Sequence, residues 1–254
     1  ITSSKKIVWI HNDLTKTEFH HYTDDEFRKF FGFDKIMVIS EKIQKDFEKL
    51  AKNETEKNKL VRIYNPIDTE EILSKSEVRS PKSEDDGSWM MEDGSLKSAF
   101  ENAKLVTQNS KLETRNSEPL FVSVGTVFPQ KGFDRLLKKL LEEGYPHRIK
   151  IIGDGYDFEN IKNLKTELGV DKTAEMLGFT DNPYPYFKAA DFYILSSRYE
   201  GFPTVLFEAI ILRKNIIATE VSGVNEMLEN GKLGLIVENS EEGIYQGMKK
   251  ALTN

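Results

Sequence analysis

From residue 119 to the end of the chain, short apolar segments alternate with amphipathic segments, and this alternation limits the possible folds more than any other feature. The strand candidates are Leu120–Val124, Arg148–Ile152, Ala174–Leu177, Asp191–Leu195, Asn215–Ala218 and Gly234–Val237. Strands that alternate with amphipathic helices form a parallel sheet with helices on both faces, connected by right-handed crossovers. The pattern therefore predicts an α/β fold with a Rossmann-like, doubly wound parallel sheet. In such a fold, ligands bind beyond the carboxyl ends of the strands.

The chain divides into three regions of different composition. Residues 1–70 hold three further strand candidates, separated by helical patterns: Ile7–Ile10, Lys35–Ile39 and Leu60–Tyr64. Residues 71–118 are rich in serine, lysine and acidic residues and have no sustained apolar period, which indicates a linker or polar insertion with one helix near Leu96–Val106. Residues 119–254 are predicted to form a domain. Because the chain begins at Ile1, close to an apolar segment, we interpret it as part of a larger protein.

Composition argues against several classes of protein. With 42 acidic and 36 basic residues the net charge is -6, which disfavours nucleic-acid binding. The absence of cysteine excludes disulfide scaffolds, thiol catalysis and cysteine metal sites. No apolar run approaches the roughly 18 residues that cross a bilayer, and no signal peptide precedes the first strand candidate. Asp154 and Asp157 lack a third ligand at a useful spacing and there is no Asp-x-Asp motif, so no metal is expected.

Two predicted loops contain glycines directly after a strand. In the first, Gly125 lets the backbone come close to a ligand, and Lys131 places an ammonium group near a helix N-terminus, which would suit a phosphate. An ordinary turn with a solvated lysine explains this loop equally well, and the spacing is not that of a P-loop. In the second loop, Gly153 and Gly155 permit close backbone approach, but the GxGxxG pattern is incomplete and a tight turn also explains them.

The loop after Asp191–Leu195 is the most informative one. Pro203 is predicted as the first helical residue, so that the free N–H groups behind it form an anion site reinforced by the helix dipole. Glu200 precedes this site, and Glu208 lies about 8 Å into the helix at 1.5 Å per residue. Carboxylates on both sides of a phosphate site would suit hydroxyl groups on both sides of a diphosphate, as in a nucleotide sugar. The alternative is a pair of solvated acids, but the apolar neighbours of Glu208 argue against it.

These segments resemble the glycosyltransferases of family four, also called the group 1 glycosyl transferases, which are retaining enzymes of the GT-B fold. The resemblance rests on EGFPTVLFEA with its Glu-x7-Glu spacing, on VGTVFPQKGFDRLL and IIGDG before it, and on SGVNEML after it. The segments VWIHNDL, MVISEKI and IYNPID look like the end of the family's N-terminal domain. Residues 119–254 are thus identified with the donor-binding domain, and residues 1–70 with part of the acceptor-side domain.

The resemblance implies a role for each candidate residue. Glu200 would contact hydroxyl groups of the donor sugar, Glu208 would hold the ribose, and Lys131 would neutralise the diphosphate. His11 would contact the transferred sugar, whereas the sequence alone indicates a structural residue at a strand end. The remaining residues would surround the donor: Gly125, Thr126, Gly153, Gly155, Phe202, Pro203, Thr204 and Val205.

Two departures from the family pattern stand out. The family usually has arginine directly after the loop glycine, where this chain has Thr126, and one lysine does not replace the forked donor of arginine. The chain is also shorter than a complete enzyme of two Rossmann-like domains, and the missing part would hold much of the acceptor site.

The implied function is transfer of a sugar from a nucleotide diphosphate sugar, most simply a UDP-sugar, to a glycan or lipid-linked acceptor in bacterial surface-polysaccharide or capsule synthesis. The enzyme would need no further cofactor or metal. It would be cytoplasmic, with peripheral association at the inner face of the membrane through the missing N-terminal part. A non-catalytic module that binds nucleotide sugars, or a sugar-nucleotide epimerase of the same fold, would also explain the motifs.

Overall fold

Two parallel sheets organise the computed structural model, which describes residues 4–15, 22–76, 118–138 and 146–253. The N-terminal sheet has the order β1-β2-β3, with β1 at Ile7–Ile10, β2 at Lys35–Val38 and β3 at Leu60–Arg62. Its helices are α1 (Asp24–Phe30), α2 (Glu41–Leu50) and α3 (Glu54–Lys57), and α4 (Thr69–Ser76) follows β3.

The C-terminal sheet is the larger one. Its strands are β4 (Leu120–Val124), β5 (Arg148–Ile152), β6 (Ala174–Gly178), β7 (Phe192–Leu195), β8 (Asn215–Thr219) and β9 (Leu235–Val237). All are parallel and lie in the order β6-β5-β4-β7-β8-β9. A turn of 3-10 helix at Pro129–Lys131 leads into α5 (Phe133–Lys138), and the later helices are α6 (Phe158–Glu167), α7 (Tyr184–Ala189), α8 (Thr204–Ile211), α9 (Val224–Met227) and α10 (Glu241–Thr253). This is the strand order of a doubly wound dinucleotide-binding sheet, as predicted.

Local sequence signals start several of the helices. Ser40 caps α2 by accepting a hydrogen bond from the amide of Ile43, and Thr23 with Glu26 forms a complete capping box at α1. Phe27, Ile43 and Phe47 are buried behind these caps. The amphipathic pattern and the polar cap thus agree on where each helix begins.

Apolar packing joins the two sheets. A single cluster of buried side chains runs from Ile10 and Phe47 of the N-terminal region to Phe187, Phe202 and Leu206 of the C-terminal region. A second cluster, around Phe121 and Leu136, fills the opposite face of the larger sheet. The carboxyl ends of the N-terminal strands therefore lie beside the loops that follow β7 and β8.

Three predictions need comment. The boundary predicted at residue 70 falls inside α4, which packs against α7 and α8 of the C-terminal region. The helix predicted near Leu96–Val106 lies outside the described residues, as does most of the predicted insertion. Pro203 is not the first helical residue: its ψ of 96° is extended, so it caps α8, and the helix begins at Thr204.

Candidate active site

The crevice between β4 and β7 is the point at which the strand order reverses. β5 and β6 extend the sheet on the side of β4, whereas β8 and β9 extend it on the side of β7. The connections therefore leave β4 and β7 in opposite directions, and a crevice opens beyond their carboxyl ends. The loop after β4 carries Lys131, and the loop after β7 carries Glu200. The topology thus brings together the two loops that the sequence singled out.

Hydrogen bonds hold these two loops together. The amide of Arg198 donates to the carbonyl of Gln130 at 2.7 Å, and the Ser196 hydroxyl donates to the carbonyl of Lys131 at 2.8 Å. The guanidinium of Arg198 forms a two-pronged bridge to Asp134, with both N–O distances 2.7 Å. Desolvation raises the pKa of Asp134, but hydrogen bonding and attraction to Arg198 outweigh it, so that the pKa stays below its usual value. Contacts within the protein therefore fix the position of one loop relative to the other.

Glu200 is buried at the centre of this arrangement. Its side chain is 7% exposed, and it lies 2.7 Å from the ammonium group of Lys131. The Ser197 hydroxyl donates to the same carboxylate at 2.7 Å, and the side-chain amide of Gln130 donates at 3.3 Å. A buried carboxylate needs partners of this kind to remain charged. Neither Lys131 nor Glu200 is a solvated surface residue, so the solvated lysine of the alternative explanation is wrong, whereas the phosphate-binding role of the loop stays a prediction.

The start of α8 presents main-chain donors to the same crevice. Pro203 has no N–H group, and the amides of Thr204 and Val205 precede the first hydrogen bond along the helix, which runs from Leu206 to Pro203 at 2.9 Å. Thr204 is exposed and Val205 half-buried. These donors and the positive end of the helix dipole can stabilise an anion.

Glu208 follows on α8, about one turn beyond these amides. Its carboxyl group is largely removed from water and forms no ion pair with the described residues. Burial raises its pKa to about 7. Hydroxyl groups that donate hydrogen bonds to a desolvated carboxylate stabilise its charged form. The sequence-based view that Glu208 sits in apolar surroundings is confirmed.

Tyr193 on β7 lies behind both acids. Its ring stacks on Phe187 with a centroid distance of 5.3 Å, and its hydroxyl is buried without a hydrogen-bond partner among the described residues. Burial raises its pKa, and the carboxylates of Glu200 and Glu208 raise it further. The two acids are therefore both close to one buried tyrosine, on one side of β7.

The glycines of the first two loops pack against each other. A Cβ atom on Gly153, whose φ is 142°, would lie 1.9 Å from the carbonyl oxygen of Gly125. A Cβ atom on Gly155 would lie 2.5 Å from the carbonyl oxygen of Val127. Both glycines are thus required by the contact between the loops, and their predicted role beside a nucleotide stays a prediction. Thr126, which lies between Gly125 and Val127 in the sequence, is exposed.

His11 reaches this region from the N-terminal sheet. Its ring is exposed and stacks on Trp9, with a centroid distance of 5.2 Å. A Cβ atom on Gly201 would lie 2.0 Å from the carbonyl oxygen of His11, so the backbones of the two residues are in direct contact. The structure therefore places His11 next to the loop that carries Glu200.

Sequence analysis missed several residues of the site. Gln130 and Ser197 bind Glu200 directly, and their positions in the same loops as Lys131 and Glu200 were the available signal. Tyr64 packs on Phe202 with a ring centroid distance of 5.0 Å. No pattern in the sequence connects Tyr64 with this loop.

Comparison with known proteins identifies the family. The sequence model of the family described as "Glycosyl transferases group 1" matches residues 106–254, which is more than half of the chain. The chain belongs to the group 1 glycosyl transferases. The resemblance seen in the sequence is therefore confirmed, and the matched range contains the whole C-terminal sheet with Lys131, Glu200 and Glu208.

Other glycosyltransferases are similar in sequence to this chain over part of their length. An uncharacterised glycosyltransferase of Haemophilus influenzae is 34% identical over 138 residues, which cover 52% of this chain and 39% of that protein. The N-acetylgalactosamine-N,N'-diacetylbacillosaminyl-diphospho-undecaprenol 4-alpha-N-acetylgalactosaminyltransferase of Campylobacter jejuni is 27% identical over 192 residues, or 75% of this chain and 43% of that protein. The chain thus spans less than half the length of these relatives.

Solved structures confirm the GT-B fold. HepE of Anabaena, crystallised with UDP and glucose, has a TM-score of 0.69 at 16% identity, covering 98% of this chain and 62% of that one. WaaG, a glycosyltransferase involved in lipopolysaccharide biosynthesis, has a TM-score of 0.61 at 20% identity, covering 87% of this chain and 54% of that one. The predicted fold class is therefore right for both the Rossmann-like domain and the partial domain before it.

Within the described ranges, no helix is long and apolar enough to cross a membrane. The same residues include no group of three or more histidine, aspartate or glutamate side chains arranged to hold a metal ion.

Proposed function

We propose that this chain carries the donor site of a retaining glycosyltransferase. The enzyme transfers a hexose from a nucleotide diphosphate sugar to a hydroxyl group of a glycan or lipid-linked acceptor. The observation that carries this proposal is the arrangement around the start of α8. Along the chain, the amides of Thr204 and Val205 lie between Glu200, which is ion-paired with Lys131, and the desolvated Glu208.

Each part of this arrangement has a matching part in the donor. The diphosphate occupies the helix start, where main-chain donors and the dipole favour negative charge. Glu208 accepts hydrogen bonds from the ribose hydroxyl groups, and Glu200 accepts them from the sugar. Lys131, whose ammonium group contacts Glu200, neutralises the leaving diphosphate. Gly125, Gly153, Gly155 and Phe202 shape the backbone around the nucleotide.

The reaction follows from where charge develops. The bond between the anomeric carbon and the diphosphate oxygen breaks, and the leaving diphosphate takes the electron pair. Lys131 and the amides of Thr204 and Val205 stabilise that charge, as preorganised electrostatic catalysis requires. The anomeric centre passes through an oxocarbenium-like state. The acceptor oxygen attacks it on the face that the leaving group occupied, and the acceptor hydroxyl loses its proton to the departing diphosphate. His11 contacts the transferred sugar.

Several features of the proposed substrate rest on the relatives. HepE was crystallised with UDP and glucose, and the Campylobacter jejuni relative is named for a diphospho-undecaprenol substrate. We therefore propose a UDP-sugar as donor and a glycan or lipid-linked acceptor of bacterial surface-polysaccharide synthesis. The proposed reaction needs no cofactor or metal, and the proposed location is the cytoplasm, at the inner face of the membrane.

A nucleotide-sugar screen tests this proposal directly. A ligand that binds only the folded state raises the melting temperature, so UDP-sugars should raise it more than uridine does. Release of free UDP from the bound donor should then be detectable. A melting temperature that no nucleotide diphosphate changes would contradict the proposal. Conversion of the sugar without release of UDP would indicate an epimerase.

Thr126 favours a second candidate, a module that binds donor without turning it over. Thr126 is exposed on the loop beside the crevice, at the position where the family has arginine. If the complete protein is a transferase, Thr126→Arg should raise its transfer rate, because a lost donor at such a site costs on the order of 100-fold or more. Thr126→Lys is the control, because lysine adds a positive charge without the paired N–H donors of arginine. If the parent and the Thr126→Arg variant both bind the donor tightly and neither transfers the sugar, the binding module is favoured.

A further inference from the structure

Glu226, on the short helix α9, lies at the contact between the N-terminal and C-terminal regions. Its carboxylate accepts hydrogen bonds from the amide of Glu41 at 2.9 Å and from the hydroxyl of Tyr64. The guanidinium of Arg62 lies 3.4 Å away. The Glu41 amide is the first of helix α2, where a negative charge is stabilised by the helix dipole. One side chain of the C-terminal region thus binds two elements of the N-terminal region; we call these four residues the Glu226 clamp.

Tyr64 extends the Glu226 clamp to the loop between β7 and α8. Its ring packs on that of Phe202, with a centroid distance of 5.0 Å. Burial raises the pKa of Tyr64, and its hydrogen bond to Glu226 raises it further, so the hydroxyl remains a donor at neutral pH. The hydrogen bond fixes the end of the tyrosine ring, and the ring in turn covers one side of Phe202.

Gly223 also packs closely against Phe202. Its φ is 84°, and a Cβ atom there would lie 2.7 Å from Cδ2 of Phe202. Gly223 belongs to the same segment as Glu226 and as Ser222, whose hydroxyl lies 3.0 Å from that of Ser40. Phe202 therefore contacts both Tyr64 of the N-terminal region and Gly223 of the segment that carries Glu226.

Phe202 immediately precedes Pro203 and the free amides of Thr204 and Val205. We propose that Glu226 is a positioning residue for the donor site, acting through Tyr64 and Phe202 on the backbone that presents these two amides to the diphosphate. This inference rests on the proposed function for the identity of the ligand. The geometry of the clamp itself is independent of any ligand.

The first test measures amide hydrogen exchange over residues 201–207 in the parent chain, in Glu226→Ala and in Glu226→Gln. The matched control is Glu220→Gln, because Glu220 lies on the same segment but accepts a hydrogen bond from Asn225 at 2.9 Å, within its own loop. Glu226→Ala should exchange faster over residues 201–207, and Glu226→Gln should recover part of the protection. Protection equal to that of the parent in Glu226→Ala would overturn the inference.

The second test compares the affinities of UDP and uridine for the same proteins. Loss of a positioning residue should weaken UDP binding by about 2- to 30-fold and leave uridine binding unchanged, because uridine lacks the diphosphate. Tyr64→Phe, which keeps the ring and removes the hydroxyl, should shift UDP binding in the same direction by less. An equal loss for UDP and uridine would indicate general destabilisation and overturn the inference. A parent chain that does not bind UDP would contradict the proposed function, while the exchange measurement would still decide the role of Glu226.

Discussion

At the level of single residues, the proposed site is organised by the ion pair of Lys131 with Glu200. Each buried charge is satisfied by the other, with Ser197 and Gln130 completing the shell of Glu200. Removal of either partner therefore leaves an uncompensated buried charge, which costs more than the contact itself is worth.

Lys131→Ala should weaken UDP binding by about 1–3 kcal/mol, the usual loss for a hydrogen bond to a charged group. Lys138→Ala is the control, because Lys138 is an exposed lysine on the next helix that pairs with Asp134 and Glu241 instead. Isothermal titration with UDP measures both variants. Equal affinities in Lys131→Ala and in the parent would remove Lys131 from the binding site.

Glu208 should make the stability of the chain depend on pH. Burial raises its pKa from 4.5 to about 7 in the folded state, so the folded chain holds this proton over a range where the unfolded chain has lost it. The stabilisation that the protonated carboxyl provides is present below about pH 4.5 and is lost as the pH rises through about 7.

Glu208→Gln should remove this dependence, since its amide does not titrate. Denaturation with urea at several values between pH 5 and pH 8 measures the difference. The free energy of unfolding of the parent, relative to the variant, should fall as the pH rises. A difference between parent and variant that is constant over this range would show that Glu208 titrates as an exposed glutamate.

At the scale of elements, the loop after β4 and the loop after β5 form one packed unit. The contact between Gly153 and Gly125 leaves no space for a side chain on Gly153. A Cβ atom there would lie only 1.9 Å from the carbonyl oxygen of Gly125. The sequence showed the glycines but not this contact. A glycine that lets a ligand approach and one that lets a second loop approach look the same in a sequence.

Gly153→Ala should lower the free energy of unfolding by about 1–3 kcal/mol more than Gly169→Ala, the usual cost of forcing extra atoms into a packed site. Both glycines have a positive φ, but a Cβ atom on Gly169 would have no neighbour within 4 Å. The pair of variants thus separates the clash from the backbone strain. Equal losses in urea denaturation would show that the two loops can move apart.

The strands were the most predictable elements. All nine appear within about a residue or two of their predicted bounds, because short apolar runs ended by Gly, Pro or Asn are strong signals for buried parallel strands. The start of α8 was predicted one residue early. Proline is as acceptable in the extended cap position as in the first turn, and only the backbone ψ of Pro203 distinguishes them.

At the scale of the whole molecule, the contact between the two regions was not predictable. Tyr64 and Glu226 are separated by 162 positions, and neither belongs to a motif that indicates the other. The candidate residues of the C-terminal region could be proposed together because they follow β5, β4 and β7, which are neighbours in one parallel sheet and end at the same edge. His11 joins them only because the N-terminal sheet packs its own strand ends against Gly201.

The two acids on either side of the start of α8 in the sequence are proposed to bind different parts of one nucleotide sugar. Glu200 is ion-paired to Lys131 and assigned to the sugar, whereas Glu208 is desolvated and assigned to the ribose. The most direct test combines UDP titration with steady-state transfer kinetics of the complete protein for Glu200→Ala and Glu208→Ala. The account predicts that Glu200→Ala lowers the transfer rate more than UDP affinity, and that Glu208→Ala does the reverse. Equal losses of UDP affinity in both variants, with the parent's transfer rate at saturating donor, would contradict it.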